Sequence, residues 1–249
     1  MIKVKKHNSP KILIDNQTPW TKALNDAISS YGSYDKVPTR IKNSLLSHYR
    51  HKDIQKELFE SSFYKCAFCE CKPSESGNIE VEHFAPKSIY PDLAFNWDNF
   101  LPSCRKCNEA KSDFDTISYP IINPAKVDPE TLLTYDFLRI CPMKGTSNEK
   151  LAENTIEVCN LNCSRLYETR ALLLKSLTEY ADELKEKIIY INQADTPQKR
   201  KNRITKLKNS LEKIDQILVN SSVYSGYCRW YVSHCKEYAE AKKLVLTKG

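Results

Sequence analysis

Apolar residues return at three- and four-residue steps over most of the chain, a pattern that predicts amphipathic helices packed on one another. Thr18-Pro19 offers a helix start, Trp20, Leu24, Ala27, Ile28 and Tyr31 follow at helical spacing, and Gly32 ends the run. A second helix is expected after Pro38, with Ile41, Leu45 and Tyr49 on one face, and a third over Asp53–Ser61. Ahead of them, the alternating IKVK piece and KILID read as an edge strand or arm within residues 1–17. Far along the chain, Leu173, Leu177, Tyr180, Leu184, Ile188 and Ile191 form one stripe. Ile204, Leu207, Leu211, Ile214 and Leu218 form another, and the turn Asn192–Pro197 between them predicts an antiparallel helical hairpin. Tyr224, Tyr227, Tyr231, His234 and Tyr238 continue the spacing, as an aromatic core stripe on a further helix.

The helical period fails between Tyr64 and Asp113. There Gly77-Asn78 marks a turn, and Ile79-Glu80-Val81 reads as a short strand that delivers Glu82-His83 before Phe84 and Pro86 end it. Asn96–Leu101 reads as a return strand and Lys106–Asp113 as the start of a helix. Beyond it, ISYPIINPAKVDPETLLTYDFL is rich in Pro and turn residues and suggests a loop that wraps back, before NTIEVCNLNCSRLYETRALLL resumes helical spacing. The fold expected is mainly α with a small ββα insertion, an α+β protein. Its regions are residues 1–62 (helical), 63–118 (the insertion) and 119–249 (helical).

Composition narrows the class. At 249 residues, with 41% hydrophobic and 10% aromatic positions, the chain is long enough to bury a core and unlike a disordered sequence. The N-terminal MIKVKKHNSPKILID has no apolar core of a secretory signal, and no run of 18 apolar residues occurs, so a cytoplasmic protein is expected. In a reducing compartment its ten cysteines point to metal rather than disulfides. Cys66/Cys69 and Cys104/Cys107 are Cys-x-x-Cys pairs, the spacing at which two sulfurs reach one tetrahedral ion, so the four read as a closed structural Zn²⁺ site. Cys71, Cys141, Cys159, Cys163, Cys228 and Cys235 read as small apolar residues, with Cys71 near enough to Cys69 to substitute for it. His48 and His51 lie in a polar, basic stretch and read as surface residues.

The order Cys-x-x-Cys, Glu-His-Phe-x-Pro-Lys-Ser, Asn-Phe-Leu-Pro-Ser-Cys-x-x-Cys-Asn-x-x-Lys resembles the signature of the HNH endonucleases. That resemblance implies a strand-turn-strand-helix finger around one catalytic metal, propped by a four-cysteine knuckle. His83 stands where the family has its general base, Glu82 at the acidic metal ligand, Asn99 at the middle Asn and Asn108 at the last position. Glu82 replaces the commoner Asp, and Asn108 replaces a His, which makes this an H-N-N variant. The resemblance implies phosphodiester hydrolysis with Glu82 and Asn108 holding Mg²⁺ or Mn²⁺ and His83 activating water, to leave a 5′-phosphate and a 3′-hydroxyl. Lys111, Lys87 and Arg105 would meet phosphates.

The segments INP-x-x-x-DPE and TIEVCNLNCSRL-x-x-x-R are similar to those after the finger in the nuclease subunits of the Septu antiphage system and of related retron effector modules. A PtuA-type ATPase partner is thereby implied, and in a retron also a reverse transcriptase with its multicopy single-stranded DNA. The chain itself has no Gly-rich Lys-Ser/Thr loop for ATP. DNA is the expected substrate, and RNA, including tRNA, is left open by the chemistry. A zinc ribbon that bridges an ATPase and nucleic acid without cutting accounts for the cysteines equally well. A net charge of +7 permits nucleic-acid binding, and the excess is concentrated between Lys185 and Lys213. There a solvated helical face and a backbone- or partner-binding face are both open readings.

Overall fold

The computed structural model describes residues 1–73 and 79–248, and Gly77-Asn78, where the sequence suggests a turn, lies outside them. The described residues divide into two compact units: residues 1–133 with 140–162, and 134–139 with 163–249.

In the first unit an irregular arm, anchored by the Val4 N–H on the Pro124 carbonyl (2.9 Å), leads into α1, Lys11–Tyr31. The helix therefore starts earlier than Thr18-Pro19 suggests, and KILID is its first turn rather than a strand. Pro10 sits at the extended N-cap and Pro19 lies inside the helix. An interior proline costs about 3 kcal/mol. Leu13 and Leu24, both 0% exposed on either side of it, offset that cost by burial of about the same size. Gly32 closes α1 at φ 85°, the left-handed conformation that glycine adopts without a Cβ clash. α2 (Thr39–Leu46) and α3 (Lys52–Glu60) follow, and Leu46, Tyr49, Ile54, Leu58 and Phe59 join Leu13 and Leu24 in one core with Phe95, Trp97 and Phe100.

Two short strands cross this core: β1, Ile79–His83, and β2, Phe100–Cys104, are antiparallel, with His83 opposite Phe100 and Ile79 opposite Cys104. The return strand thus starts later than Asn96, because Trp97–Asn99 forms a single 3₁₀ turn. α4, Arg105–Lys111, continues from β2 without a loop and ends at Ser112, whose φ of 48° and ψ of −132° turn the backbone sharply. The segment expected to be a loop ends in β3 (Leu133–Asp136), which pairs with β4 (Arg139–Pro142) just beyond it in a second two-stranded sheet. α5, Glu149–Val158, completes the first unit.

The second unit is helical apart from the tip of the β3–β4 hairpin, residues 134–139. α6 (Ser164–Asn192) and α7 (Pro197–Leu218) form the expected hairpin, and α8 (Ser225–Ser233) and α9 (Lys236–Lys248) pack against it. The single aromatic helix expected from Tyr224 to Tyr238 is two helices, broken after His234. Tyr227 is 1% exposed in the core formed by Leu177, Leu184, Ile188, Leu207, Leu211 and Ile214. Tyr135 meets Tyr227 edge-on at 5.0 Å, and the buried Arg170 donates to the Leu138 carbonyl (2.8 Å) while lying over the Tyr135 ring. No helix among the described residues is long and apolar enough to cross a membrane.

Candidate functional site

The four paired cysteines converge. The sulfurs of Cys66, Cys69, Cys104 and Cys107 all lie within 4.8 Å of one another, and all four residues are buried. Backbone contacts place them: the Cys66–Glu70 turn closes on itself (Glu70 N–H to Cys66 O, 2.9 Å), and the Ala67 N–H hooks onto Pro102 O of β2 (2.8 Å). That hook sets one pair beside Cys104 at the end of the strand. Cys69 Sγ and Cys104 Sγ are 3.7 Å apart. A tetrahedron with Zn–S bonds of about 2.3 Å has an edge of about 3.8 Å, so the spacing suits the ion. Hydrogen bonds from Cys107, Cys66 and Cys69 hold the Cys104 thiol far below its ordinary range. The donor set thus fits Zn²⁺. Cys71 lies 3.4 Å from Cys69 Sγ yet outside the four.

One strand length away, β1 delivers Glu82 and His83. His83 is 3% exposed, clasped edge-on between Tyr49 (4.7 Å) and Phe100 (5.2 Å). Its Nε2 lies 2.9 Å from the Ala94 carbonyl. A carbonyl only accepts, so Nε2 carries the proton and Nδ1 keeps its lone pair, the tautomer a general base needs. Burial, then the positive charge of Lys87, pushes the imidazole pKa down to about 3, so His83 is neutral at physiological pH.

Asn99 braces the chain up to the residue before Ala94. The Asn99 Oδ1 accepts from the Ala85 N–H (2.7 Å), and Nδ2 donates to Ala85 O (2.9 Å) and Leu93 O (3.1 Å). One buried amide thereby ties both ends of the 85–93 loop that carries the histidine's partner.

Glu82, 5% exposed, accepts from the Lys111 ammonium (2.6 Å), which also donates to His83 O (3.0 Å). Burial raises the Glu82 pKa and the Lys111 charge opposes the rise. Asn108, on α4, donates through Nδ2 to Glu80 Oε2 (2.6 Å). Glu80 and Glu82 are two apart on β1 and so share a face. Glu80 did not emerge from the sequence pattern, although Glu-x-Glu on a strand is the signal that places two carboxylates side by side.

Glu82, His83, Lys87 and Asn108 line a cavity of about 350 Å³ together with Tyr34, Pro86, Ser88, Ser112 and Asp113. Of the three cations expected at phosphates, Lys87 alone lines it. Lys111 is 1% exposed and occupied by Glu82, and Arg105 is exposed and paired with Glu109 (2.7 Å). The oxygen donors of Glu82, Glu80 and Asn108 suit a hard divalent cation, with Lys111 competing for one Glu82 oxygen. His48 is exposed, as expected, and stacks on Trp20 at 4.6 Å.

No family model matches the chain. It is 34% identical over 189 residues to the Septu protein PtuB of Bacillus thuringiensis, an alignment that covers 75% of this chain and 65% of that protein. With the Septu protein PtuB of Bacillus mycoides (strain KBAB4) it shares 26% identity over 209 residues, 71% of this chain and 68% of that one. The chain thus spans a little under two thirds of the length of the first relative. Over three quarters of its own length it is similar to the Septu protein PtuB.

Proposed function

We propose that the chain is a metal-dependent endonuclease of the HNH type, the effector of a Septu antiphage system whose activity a PtuA-type ATPase controls. The observation that supports the nuclease reading is the His83 tautomer. Its Nε2–H is committed to Ala94 O, so Nδ1 is the basic nitrogen, and the residue borders a polar cavity with Glu82, Lys87 and Asn108.

In this reading a phosphodiester enters the cavity with its anionic oxygens toward Lys87. His83 Nδ1 takes a proton from water as the water attacks phosphorus. Tyr49 and Phe100 hold the ring by packing, and Asn99 holds the loop that fixes its tautomer, so the base meets the water already oriented. The incoming anion offsets the Lys87 charge that depresses the imidazole, and so raises the basicity of His83 when substrate is bound. A divalent cation held by Glu82 and Asn108, with Glu80 alongside, would neutralise the charge that develops on phosphorus and on the leaving oxygen. The zinc knuckle takes no part in the chemistry and fixes β2 and α4, hence Asn108.

The similarity to PtuB supports the defence role, and in this reading nucleotide control belongs to the partner ATPase. DNA is the first substrate to test and RNA the second. Plasmid DNA and total RNA are incubated with wild type and with His83→Ala, each alone and with the partner ATPase, in Mg²⁺ or Mn²⁺. Wild type cuts at least one of them and His83→Ala is slower by about 100-fold or more, the lower end of what general-base catalysis contributes. Identical behaviour of the two proteins would leave a zinc-bound adaptor in place of the enzyme.

A further inference from the structure

In the second unit, α7 carries its charges in the order that its own dipole disfavours. Lys199, Arg200, Lys201, Arg203 and Lys206 fall within its first ten residues, its carboxylates Glu212 and Asp215 fall near its end, and its first turn holds no acidic residue. The macrodipole disfavours cations in the first turn of a helix and favours carboxylates there. Lys199 makes the point most sharply. Thr196 Oγ1 caps the helix by accepting from the Lys199 N–H (3.2 Å). Lys199 therefore stands at N3, where Glu would complete a capping box.

Intramolecular pairing does not explain the cluster. Lys199 meets Asp195 (2.8 Å) in an exposed pair, while Lys201 and Lys206 are exposed and have no ion-pair partner among the described residues. Lys199, Asn202, Lys206, Asn209 and Lys213 recur every three to four residues, and all are exposed, so they form one stripe along α7. At about 1.5 Å per residue the stripe is about 21 Å long, which matches about six phosphates along one strand of a duplex. Beside it, Arg203 lies 3.5 Å from the ring centre of Tyr190, which is 55% exposed.

We propose that this α6–α7 hairpin binds nucleic acid, with the lysine–asparagine stripe on the phosphate backbone and Tyr190, backed by Arg203, as a platform for an unpaired base. Ammonium and amide donors suit phosphate oxygens, whereas a protein partner would need a desolvated apolar centre, which the stripe's own lysines and asparagines do not supply. An exposed ring with a guanidinium on one face leaves the other for stacking. The proposal deepens the nuclease reading by naming what holds the substrate, and its test involves no cleavage: a chain that binds through this face and never cuts would sink the enzyme and keep the face.

The test is fluorescence anisotropy on the zinc-loaded full chain carrying His83→Ala, without added divalent ion. The probes are fluorescein-labelled single-stranded DNA of about 20 nucleotides, its RNA counterpart and the DNA duplex, each across a salt series. Adding Lys199→Glu and Lys206→Glu should weaken binding of all three probes by about tenfold or more and reduce the slope of log affinity against log salt by about 1.5, the loss of two phosphate contacts. The same double variant should melt no lower than its parent, since Glu at N3 completes the capping box, so a loss of binding is not a loss of fold. Tyr190→Ala should weaken the single strands several-fold and spare the duplex. Unchanged affinity and unchanged salt slope in the double variant would overturn the proposal. So would unchanged affinity together with loss of co-purification with the partner ATPase, because the face would then be a protein dock.

Discussion

Lys111 sets its ammonium nitrogen 2.6 Å from Glu82 Oε1, with the two side chains 0% and 7% exposed. The cation belongs to the interior of the β1–β2–α4 unit, where it ties α4 to β1 and opposes the rise that burial imposes on the Glu82 pKa. Breaking such a pair from one side leaves an uncompensated buried charge at a cost of about 3–5 kcal/mol. Lys111→Met should therefore lower the urea midpoint markedly, and Glu82→Gln added to it should recover part of the loss. Mn²⁺ should stabilise Lys111→Met more than wild type, since the ion and the ammonium compete for the same carboxylate. Equal Mn²⁺ stabilisation of the two proteins would argue against Glu82 as a cation ligand.

Asn99 is not among the residues that line the cavity. Asn99→Ala removes one acceptor and two donors at once and leaves the Ala85 N–H, Ala85 O and Leu93 O without their partner. Orphaned buried groups cost about 1–3 kcal/mol each where water cannot replace the partner. The 85–93 loop would then loosen, and with it the Ala94 carbonyl that sets the His83 tautomer. Turnover should fall by about 100-fold, the scale of the general-base contribution, in a variant that remains folded by circular dichroism and binds substrate nearly as before. A variant that cuts normally while showing the stability loss would make Asn99 a purely structural residue.

What is legible in the sequence follows a physical line. Long helices with unbroken spacing, such as the α6–α7 hairpin, are readable because burial alone decides them. So is the convergence of Cys66, Cys69, Cys104 and Cys107, since two short pairs leave one way to gather four sulfurs. The start of α1 is misleading because Pro19 has the look of a first-turn proline, whereas tertiary burial of Leu13 and Leu24 carries the helix through it. The β3–β4 hairpin is hidden because β3 closes a Pro-rich segment and because residues of the TIEVCNLNCSRL motif serve the backbone. Asn162 brackets Ile140 by donating to its carbonyl (2.9 Å) and accepting from its N–H (3.0 Å), while Thr155 accepts from the Ile122 N–H (2.8 Å). The roles of Lys111 and Glu80 escape the sequence for a shared reason. Which charged side chains pair across β1 and α4 depends on the register of the finger, and spacing along one element does not report it.

The pH dependence of stability should carry the mark of His83. In the folded chain its protonation is held off to about pH 3, chiefly by burial and then by Lys87. In the unfolded chain it occurs near the ordinary value of about 6.5. Between those values the unfolded state binds the extra proton, so stability contributed by the neutral ring is complete above about pH 6.5 and is lost as pH falls toward about 3. His83→Asn does not titrate there. The difference in urea midpoint between wild type and His83→Asn should therefore shift against wild type between neutral pH and about pH 4.5, with other groups cancelling in the comparison. Lys87→Met should raise the histidine pKa, read from its ring proton by NMR. A wild-type ring that titrates at its ordinary value would mean that His83 is open to water and not clasped by Tyr49 and Phe100.

The cysteine cluster makes the most direct claim about composition. Four sulfurs within 4.8 Å, buried and tied to β2, describe a closed four-coordinate site, so the purified chain should hold one zinc ion. Cys104→Ser removes a ligand that is also the junction of β2 and α4. It should abolish bound zinc and lower the melting temperature by about 10 °C or more, because zinc binding is linked to folding by several kcal/mol. Cys71→Ser should keep the full zinc content, since its sulfur approaches Cys69 from outside the four. Asn108→Ala should also keep zinc while cutting fails, which separates the ion that holds the finger from the chemistry at its edge. Zinc released by a thiol reagent and counted with a chromogenic chelator reads all three variants. Loss of zinc from Cys71→Ser as complete as from Cys104→Ser would make Cys71 a ligand and require a different set of four.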